Sequence, residues 1–299
     1  VTGHEQPGDV GRRRYLDLQA LARREGRDTQ ELLTLYALEG LLVRLALSGH
    51  ADRLVLKGGM LLAAFDQRRP TRDLDMHAEQ LANDRDTIRG MVVDIVRVPV
   101  DDGLDFDLDS IVAEAIREGD DHQGVRVSLD AMLHTARLIP KLDVNVGDPV
   151  WPGPQPVELP RLLGGEPLRL RGYPLHMVLA EKIVTAVARG TGSTRWRDFA
   201  DIHLLTGTHP LDATDLATAI DRVADHRGVD LVPLARALDG FGDIGQRKWD
   251  AWRRKQHLDD RLPTSFDEVI ATTSGFADPL LQGDVTAGRW DPEHRRWTR

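Results

Sequence analysis

Residues 53–77 begin Arg53-Leu54-Val55-Leu56-Lys57-Gly58-Gly59 and end Thr71-Arg72-Asp73-Leu74-Asp75-Met76-His77. The first run is a short strand signal stopped by a glycine pair, after which Met60-Leu61-Leu62-Ala63-Ala64-Phe65 starts a helix. The second run alternates polar and apolar residues, as a strand with one face in a cleft does. Side chains two apart on a strand point the same way, so Asp73 and Asp75 share a face while Leu74 enters the core. Two carboxylates this close repel each other unless a cation sits between them. Mg2+ suits the place, because it takes hard oxygen ligands and is commonly shared between one or two carboxylates and substrate phosphates. The glycine pair lets backbone approach a triphosphate closely and offers N–H donors at a helix start. Neither the P-loop spacing nor the Gly-x-Gly-x-x-Gly fingerprint is present.

Outward from this stretch, Tyr15 to Leu47 carries leucines at helical spacing and splits near Gly26-Arg27-Asp28 into two helices, with Asp28 or Thr29 as N-cap. Asn83 to Val93 reads as a helix, and Val125 to Leu129 and Leu142-Asp143-Val144-Asn145-Val146 read as strands. Asp143, flanked by Leu142 and Val144, is a candidate third carboxylate on the same cleft. Three acids can hold two metals, which would stabilise the attacking and leaving oxygens of an in-line phosphoryl displacement. Residues 1–14, polar with Arg12-Arg13-Arg14, are expected as a flexible arm, and 15–150 as an α/β lobe. Between Pro149 and Pro174 five further prolines and four glycines break any long element, so 151–174 is expected as a linker. Residues 175–299 read as mostly helical, with Leu175 to Arg189 the clearest helix. The expected fold class is α/β (α+β) in two lobes.

A chain of 299 residues, 41% hydrophobic and 29% charged, is ample for a real core and is not disordered by composition. No run approaches the roughly 18 apolar residues of a membrane span. Without cysteine there is no disulfide framework and no Cys-ligated zinc, and the first residues lack a secretory leader, so a cytoplasmic protein is expected. A formal charge of -9 excludes a coat of positive potential but not a local nucleic-acid groove. Only five of the 39 basic residues are lysines, and three of those, Lys57, Lys141 and Lys182, lie beside candidate carboxylates.

Further along, Glu181-Lys182 precedes Arg195-Trp196-Arg197-Asp198-Phe199-Ala200-Asp201. Asp198 and Asp201, at i and i+3, share a helix face and can orient a lysine or arginine from the preceding helix. Alone, Lys182 would be a solvated lysine and the two acids caps or surface groups. Arg247-Lys248-Trp249-Asp250-Ala251-Trp252-Arg253-Arg254-Lys255 interleaves basic and aromatic residues, and Trp290 and Trp297 lie among arginines. Two readings remain open: aromatics stacking on unpaired bases while arginines hold phosphates, or Trp249 and Trp252 anchoring a helix in the core. His77 follows the Asp pair and can line the cleft, but the histidines have no zinc-ligand spacing.

Lys57-Gly58-Gly59, Thr71-x-Asp73-x-Asp75, Asp143, Lys182 and Arg197-Asp198-x-x-Asp201, in this order, resemble the AbiEii family of nucleotidyltransferase toxins of type IV toxin–antitoxin systems, which includes the mycobacterial MenT enzymes. The resemblance spans roughly Leu54 to Leu205. It departs from many polymerase-β-like enzymes in having Gly58-Gly59 where they carry Gly-Ser, which removes a serine contact to phosphate. The resemblance implies a polymerase-β-type nucleotidyltransferase core with a helical C-terminal lobe, acting as a Mg2+-dependent monomer. The implied reaction is nucleotide transfer from an NTP to the 3′ end of RNA, in relatives tRNA, which blocks translation. Under it Asp73 and Asp75 bind metal and triphosphate, and Lys57, Gly58, Gly59, Thr71, Arg72 and Lys182 contact the nucleotide. Asp198 belongs to a distal catalytic motif, and Asp143 is a metal ligand or general base. Thr71 stands where a relative carries a serine that its antitoxin phosphorylates, so an AbiEi-like antitoxin partner is implied. The alternatives are a metal-dependent glycosyltransferase and a non-catalytic nucleic-acid or partner-binding module on the same fold.

Overall fold

The computed structural model describes residues 7–116 and 124–298. The chain divides into two compact units, Val1–Gly147 with Gln155–Gly172, and Asp148–Pro154 with Tyr173–Arg299.

The first unit is built on a seven-stranded mixed sheet of β1 (Leu54–Lys57), β2 (Asp73–Ala78), β3 (Val112–Ala115), β4 (Gly124–Ser128), β5 (Lys141–Val146), β6 (Gln155–Leu159) and β7 (Leu168–Gly172), in the order β3-β4-β5-β2-β1-β7-β6. β2 lies between β1, which is antiparallel to it, and β5, which is parallel. Three helices accompany the sheet: α1 (Pro7–Glu25), α2 (Thr29–Leu47) and α3 (Arg85–Val96). The Asp28 carboxylate caps α2 by accepting from the N–H groups of Gln30 and Glu31. Leu41 and Leu45 of α2 and Val92 and Ile95 of α3 meet Leu54, Leu74, Met76 and Leu142 of the sheet. Each fully buried leucine or methionine of this layer contributes about 1.5–3 kcal/mol. The layer claims one face of β2 and leaves the other to Asp73 and Asp75. Glu39, on the buried side of α2, accepts from Arg161 Nε at 2.6 Å and Leu162 N at 2.8 Å. Arg44 forks onto Asp102 at 2.6 and 3.1 Å, so both buried charges are paired.

The structure corrects two sequence expectations. Of the expected arm, residues 1–6 lie outside the described residues, and the remainder is helical from Pro7. Proline is well placed in a first helical turn, and Val10, Leu18, Leu21 and Ala22 are buried along α1. The expected linker at 151–174 instead contributes β6 and β7 to the sheet. Pro156 is tolerated because β6 is an edge strand, where a missing N–H breaks no inner ladder. Pro160 and Pro167 flank the strands, and Gly164 and Gly165 take positive φ in the turn between them.

The second unit holds α4 (Leu175–Arg189), α5 (Trp196–Thr206), α6 (Ala213–Arg227), α7 (Phe241–Lys255) and α8 (Phe266–Leu281). A small sheet of Leu211–Asp212, Arg289–Asp291 and Arg296–Thr298 closes it. Its core is an aromatic cluster in which Trp196, Phe199, Phe241 and Phe266 pack with centroids 5.2–5.8 Å apart. No helix among the described residues is long and apolar enough to cross a membrane.

Candidate active site

Strand register assembles the site. Lys57 pairs with Asp75 across β1 and β2, Asp75 with Asp143 across β2 and β5, and Asp143 with Arg126 across β5 and β4. Cross-strand partners project from the same face, so four adjacent strands present one row, Lys57, Asp75, Asp143, Arg126, of charge plus, minus, minus, plus. Asp73 lies two residues before Asp75 on that face, level with Lys141. Lys57 and Asp143 are buried, and Asp73 and Asp75 are half-buried. His77 and Asn145 carry the same face inward and are buried.

The glycine pair is pressed against this row. Gly58 takes φ +65°, a left-handed conformation in which other residues are strained, and a Cβ there would overlap the Asp75 carboxylate, 2.5 Å from its Cγ and 2.7 Å from its Cβ. A Cβ at Gly59 would overlap the Thr71 hydroxyl and lie 3.3 Å from Arg69 Nη1. Thr71 is buried, its hydroxyl donating to the Arg69 carbonyl at 3.3 Å, whereas Arg72 is exposed. The helix expected after the glycines is one α-helical turn, Gly58–Leu61, followed by a 3-10 turn, Leu62–Phe65. Its dipole is correspondingly small, and what the turn offers a phosphate is close backbone approach.

Asp143 departs from expectation. Arg126 donates to both of its oxygens, Nε to Oδ1 at 2.7 Å and Nη2 to Oδ2 at 2.6 Å. A carboxylate forked by a guanidinium keeps fewer lone pairs for a metal ion. Among the described residues no group of three or more His, Asp or Glu side chains is arranged to hold a metal. The expected three-acid, two-metal set is therefore not formed. Asp73 and Asp75, two hard oxygen donors on one strand face beside a cradle that a Cβ would fill, do fit a single Mg2+ completed by water and phosphate.

The second unit brings its own cluster together. Lys182 of α4 reaches α5, with Nζ 2.8 Å from both Asp198 Oδ1 and Asp201 Oδ2, and Arg195 Nε donates to Asp198 Oδ2. Burial alone would raise the Asp198 carboxyl, but Lys182 and Arg195 more than reverse this and hold it well below the usual range. Both aspartates are 3% exposed. Lys182 is thus a tethered lysine, not a solvated one.

The C-terminal aromatics belong to the core. Trp249 is fully buried, stacks on Trp252 and Phe266, and donates to the Pro263 carbonyl at 3.1 Å. Trp290 and Trp297 donate to the carbonyls of Thr206 and Phe276. Arg253 is buried, donating to the carbonyls of Asp259 and Leu262, whereas Arg247, Lys248, Arg254 and Lys255 are exposed on α7. Base stacking by the buried Trp249 and Trp290 is excluded, Trp252 and Trp297 are half-buried, and the basic face remains.

Sequence reasoning missed Arg69, Arg126 and Arg195. Arg69 lies in an irregular loop with no periodicity to read, and Arg126 becomes informative only once strand register sets it beside Asp143. Arg195 was visible two residues before Arg197, at the start of the helix whose acid it holds.

A family model described as nucleotidyl transferase AbiEii toxin, type IV TA system, matches residues 40–272. No curated protein gives a significant sequence match. Among solved structures, MenT4, a nucleotidyltransferase toxin from Mycobacterium tuberculosis, is similar at 17% identity and TM-score 0.54, covering 89% of this chain and 97% of its own. JHP933 from Helicobacter pylori aligns at 15% identity and TM-score 0.48, over 86% of this chain and 94% of its own. At these identities the first likeness speaks for the fold, and the second carries no weight.

Proposed function

Because the chain belongs to the AbiEii family of nucleotidyltransferase toxins of type IV toxin–antitoxin systems, we propose that it transfers nucleotides from an NTP to the 3′ end of an RNA, a tRNA, as a Mg2+-dependent cytoplasmic monomer. The observation that supports this reading is the pressing of the Gly58 backbone onto the Asp75 carboxylate, which would set a phosphate cradle beside a metal-binding acid. Asp73 and Asp75 would hold Mg2+ together with the triphosphate. When bound, that ion offsets phosphate charge and polarises the phosphoryl group under attack. Lys57, in register with Asp75, stands as a cation opposite that carboxylate. The Gly58-Gly59 backbone and Arg69 receive phosphate oxygens, and exposed Arg72 supplies a further cation at the mouth. Lys182, the nucleotide lysine that the resemblance implies, is held within the second unit by Asp198 and Asp201. The exposed basic face of α7, Arg247, Lys248, Arg254 and Lys255, would hold the RNA backbone.

The antitoxin partner would act through Thr71. A phosphate there adds about -1.5 to -2 charges beside Asp73 and Asp75 and blocks triphosphate binding. Because Thr71 is buried over Gly59, the loop carrying it must open first. Mass spectrometry finding Thr71 unmodified in protein inactivated by its antitoxin would remove this element.

The test of the whole reading is incubation with total RNA and each labelled NTP in turn, with and without chelator. Chelator-sensitive incorporation at RNA 3′ ends is expected. Label transferred only from UDP-sugars, or growth inhibition by Asp75→Ala equal to that of the unaltered chain, would overturn it.

A further inference from the structure

The cross-sheet row ends on a residue whose role the reaction alone does not explain. Arg126 occupies both oxygens of Asp143, the acid directly beside Asp75 in the parallel ladder. A planar guanidinium forked onto a carboxylate takes one in-plane lone pair of each oxygen, leaving about two of four for a cation, and arginine cannot be deprotonated to release them. Mg2+ dehydrates reluctantly and demands near-octahedral oxygen geometry, so it is a weak competitor for such a pair. The charges in the row, Lys57, Asp75, Asp143 and Arg126, cancel, and Asp73 on the same face stands level with Lys141. A second divalent ion placed between Asp75 and Asp143 would face the Arg126 charge at close range.

We propose that Arg126 holds Asp143 out of the metal shell, so that the centre takes one divalent cation through Asp73 and Asp75 and the guanidinium stands in place of a second. This rests on the reading of Asp73 and Asp75 as the metal pair. Arg126 is a positioning residue: it fixes Asp143 as an ion-paired neighbour and leaves a permanent positive charge where a two-metal centre has a removable one. The side chain is 42% exposed, so this charge stays at the solvent side of the row.

The test is Mn2+ binding to the full chain without nucleotide, by electron paramagnetic resonance of free Mn2+ and by calorimetry, with melting temperature as second readout. The unaltered protein is expected to bind one Mn2+ per chain, and Asp143→Asn to keep that stoichiometry with Kd changed less than threefold. Arg126→Ala, which releases Asp143, is expected to bind Mn2+ at least tenfold tighter or at two sites. Its melting temperature should also rise more with Mn2+ than that of the unaltered chain. Should Arg126→Ala fail to fold, Arg126→Lys keeps the charge without the fork and should shift affinity in the same direction by a smaller factor. Two Mn2+ per unaltered chain, loss of binding in Asp143→Asn, or unchanged binding in the folded Arg126 variant would each overturn the proposal. Asp75→Asn separates the two readings: undiminished Mn2+ binding there removes the metal pair itself, whereas loss there together with loss in Asp143→Asn removes only the role of Arg126.

Discussion

Replacing Gly58 by alanine tests the contact on which the site depends. The residue sits at φ +65°, where a Cβ costs about 1–2 kcal/mol in backbone strain. The added methyl would lie 2.5 Å from Asp75 Cγ, so the turn or the carboxylate must move, an overpacking cost of roughly 1–3 kcal/mol. The sum, about 2–5 kcal/mol, is below the 5–15 kcal/mol typical of a folded protein, so most of the chain stays folded. A displacement of about 1 Å at a positioned group costs on the order of 100-fold in rate. Gly58→Ala should therefore lower nucleotide transfer by about 100-fold under conditions where urea unfolding shows it native. Gly90→Ala is the control: it lies on the exposed face of α3 with nothing within 4 Å of a Cβ, and should gain about 0.5–1 kcal/mol with unchanged transfer. A folded Gly58→Ala protein transferring nucleotide within threefold of the unaltered chain would refute the reasoning.

Lys182→Met strands Asp198 and Asp201 with one cation fewer and should cost about 3–5 kcal/mol in chemical denaturation. Because the Asp198 carboxyl is held below its ordinary value of roughly 3.9, its share of stability is present above that pH and lost as pH falls through it. The stability gap between the unaltered chain and Asp198→Asn should accordingly narrow from pH 5 downward; a constant gap would contradict the pairing. Burial first, then Arg295, lowers His203 to about 4, so the folded state prefers the neutral ring. Stability is complete above pH 6.5 and should decline by about 3 kcal/mol as pH falls to 4, a slope that His203→Gln flattens in urea titrations. On α7, neutralising Arg254 and Lys255 should leave stability within about 0.5 kcal/mol and reduce the salt slope of RNA binding by about one unit each, whereas Trp249→Ala should cost roughly 3–5 kcal/mol.

Patterns local in sequence were legible, and pairings distant in sequence were not. Alternation through Asp73-Leu74-Asp75 gives the strand and its two faces, because period-2 geometry needs no partner to be read. The sequence narrows the α2 cap to Asp28 or Thr29, since capping is decided within three residues, and Asp28 is the cap. β6 and β7 were hidden by Pro156, Pro160 and Pro167, whose meaning reverses once the strand is known to be an edge. The plus-minus-minus-plus row is a product of register among four strands, so Arg126 gives no signal in the sequence and Asp143 reads there as a metal ligand or general base. Trp249 and Trp252 carry an ambiguous pattern that is resolved only for Trp249, by its stacking on Phe266.

Nucleotide transfer by this chain requires that Asp73 and Asp75 hold a metal–triphosphate complex. Calorimetric binding of a non-hydrolysable NTP to the unaltered chain and to Asp75→Asn, each with Mg2+ and with chelator, measures this directly. The account predicts binding that requires both Mg2+ and Asp75, weakened at least 100-fold when either is removed. Equal affinity in all four arms would contradict it.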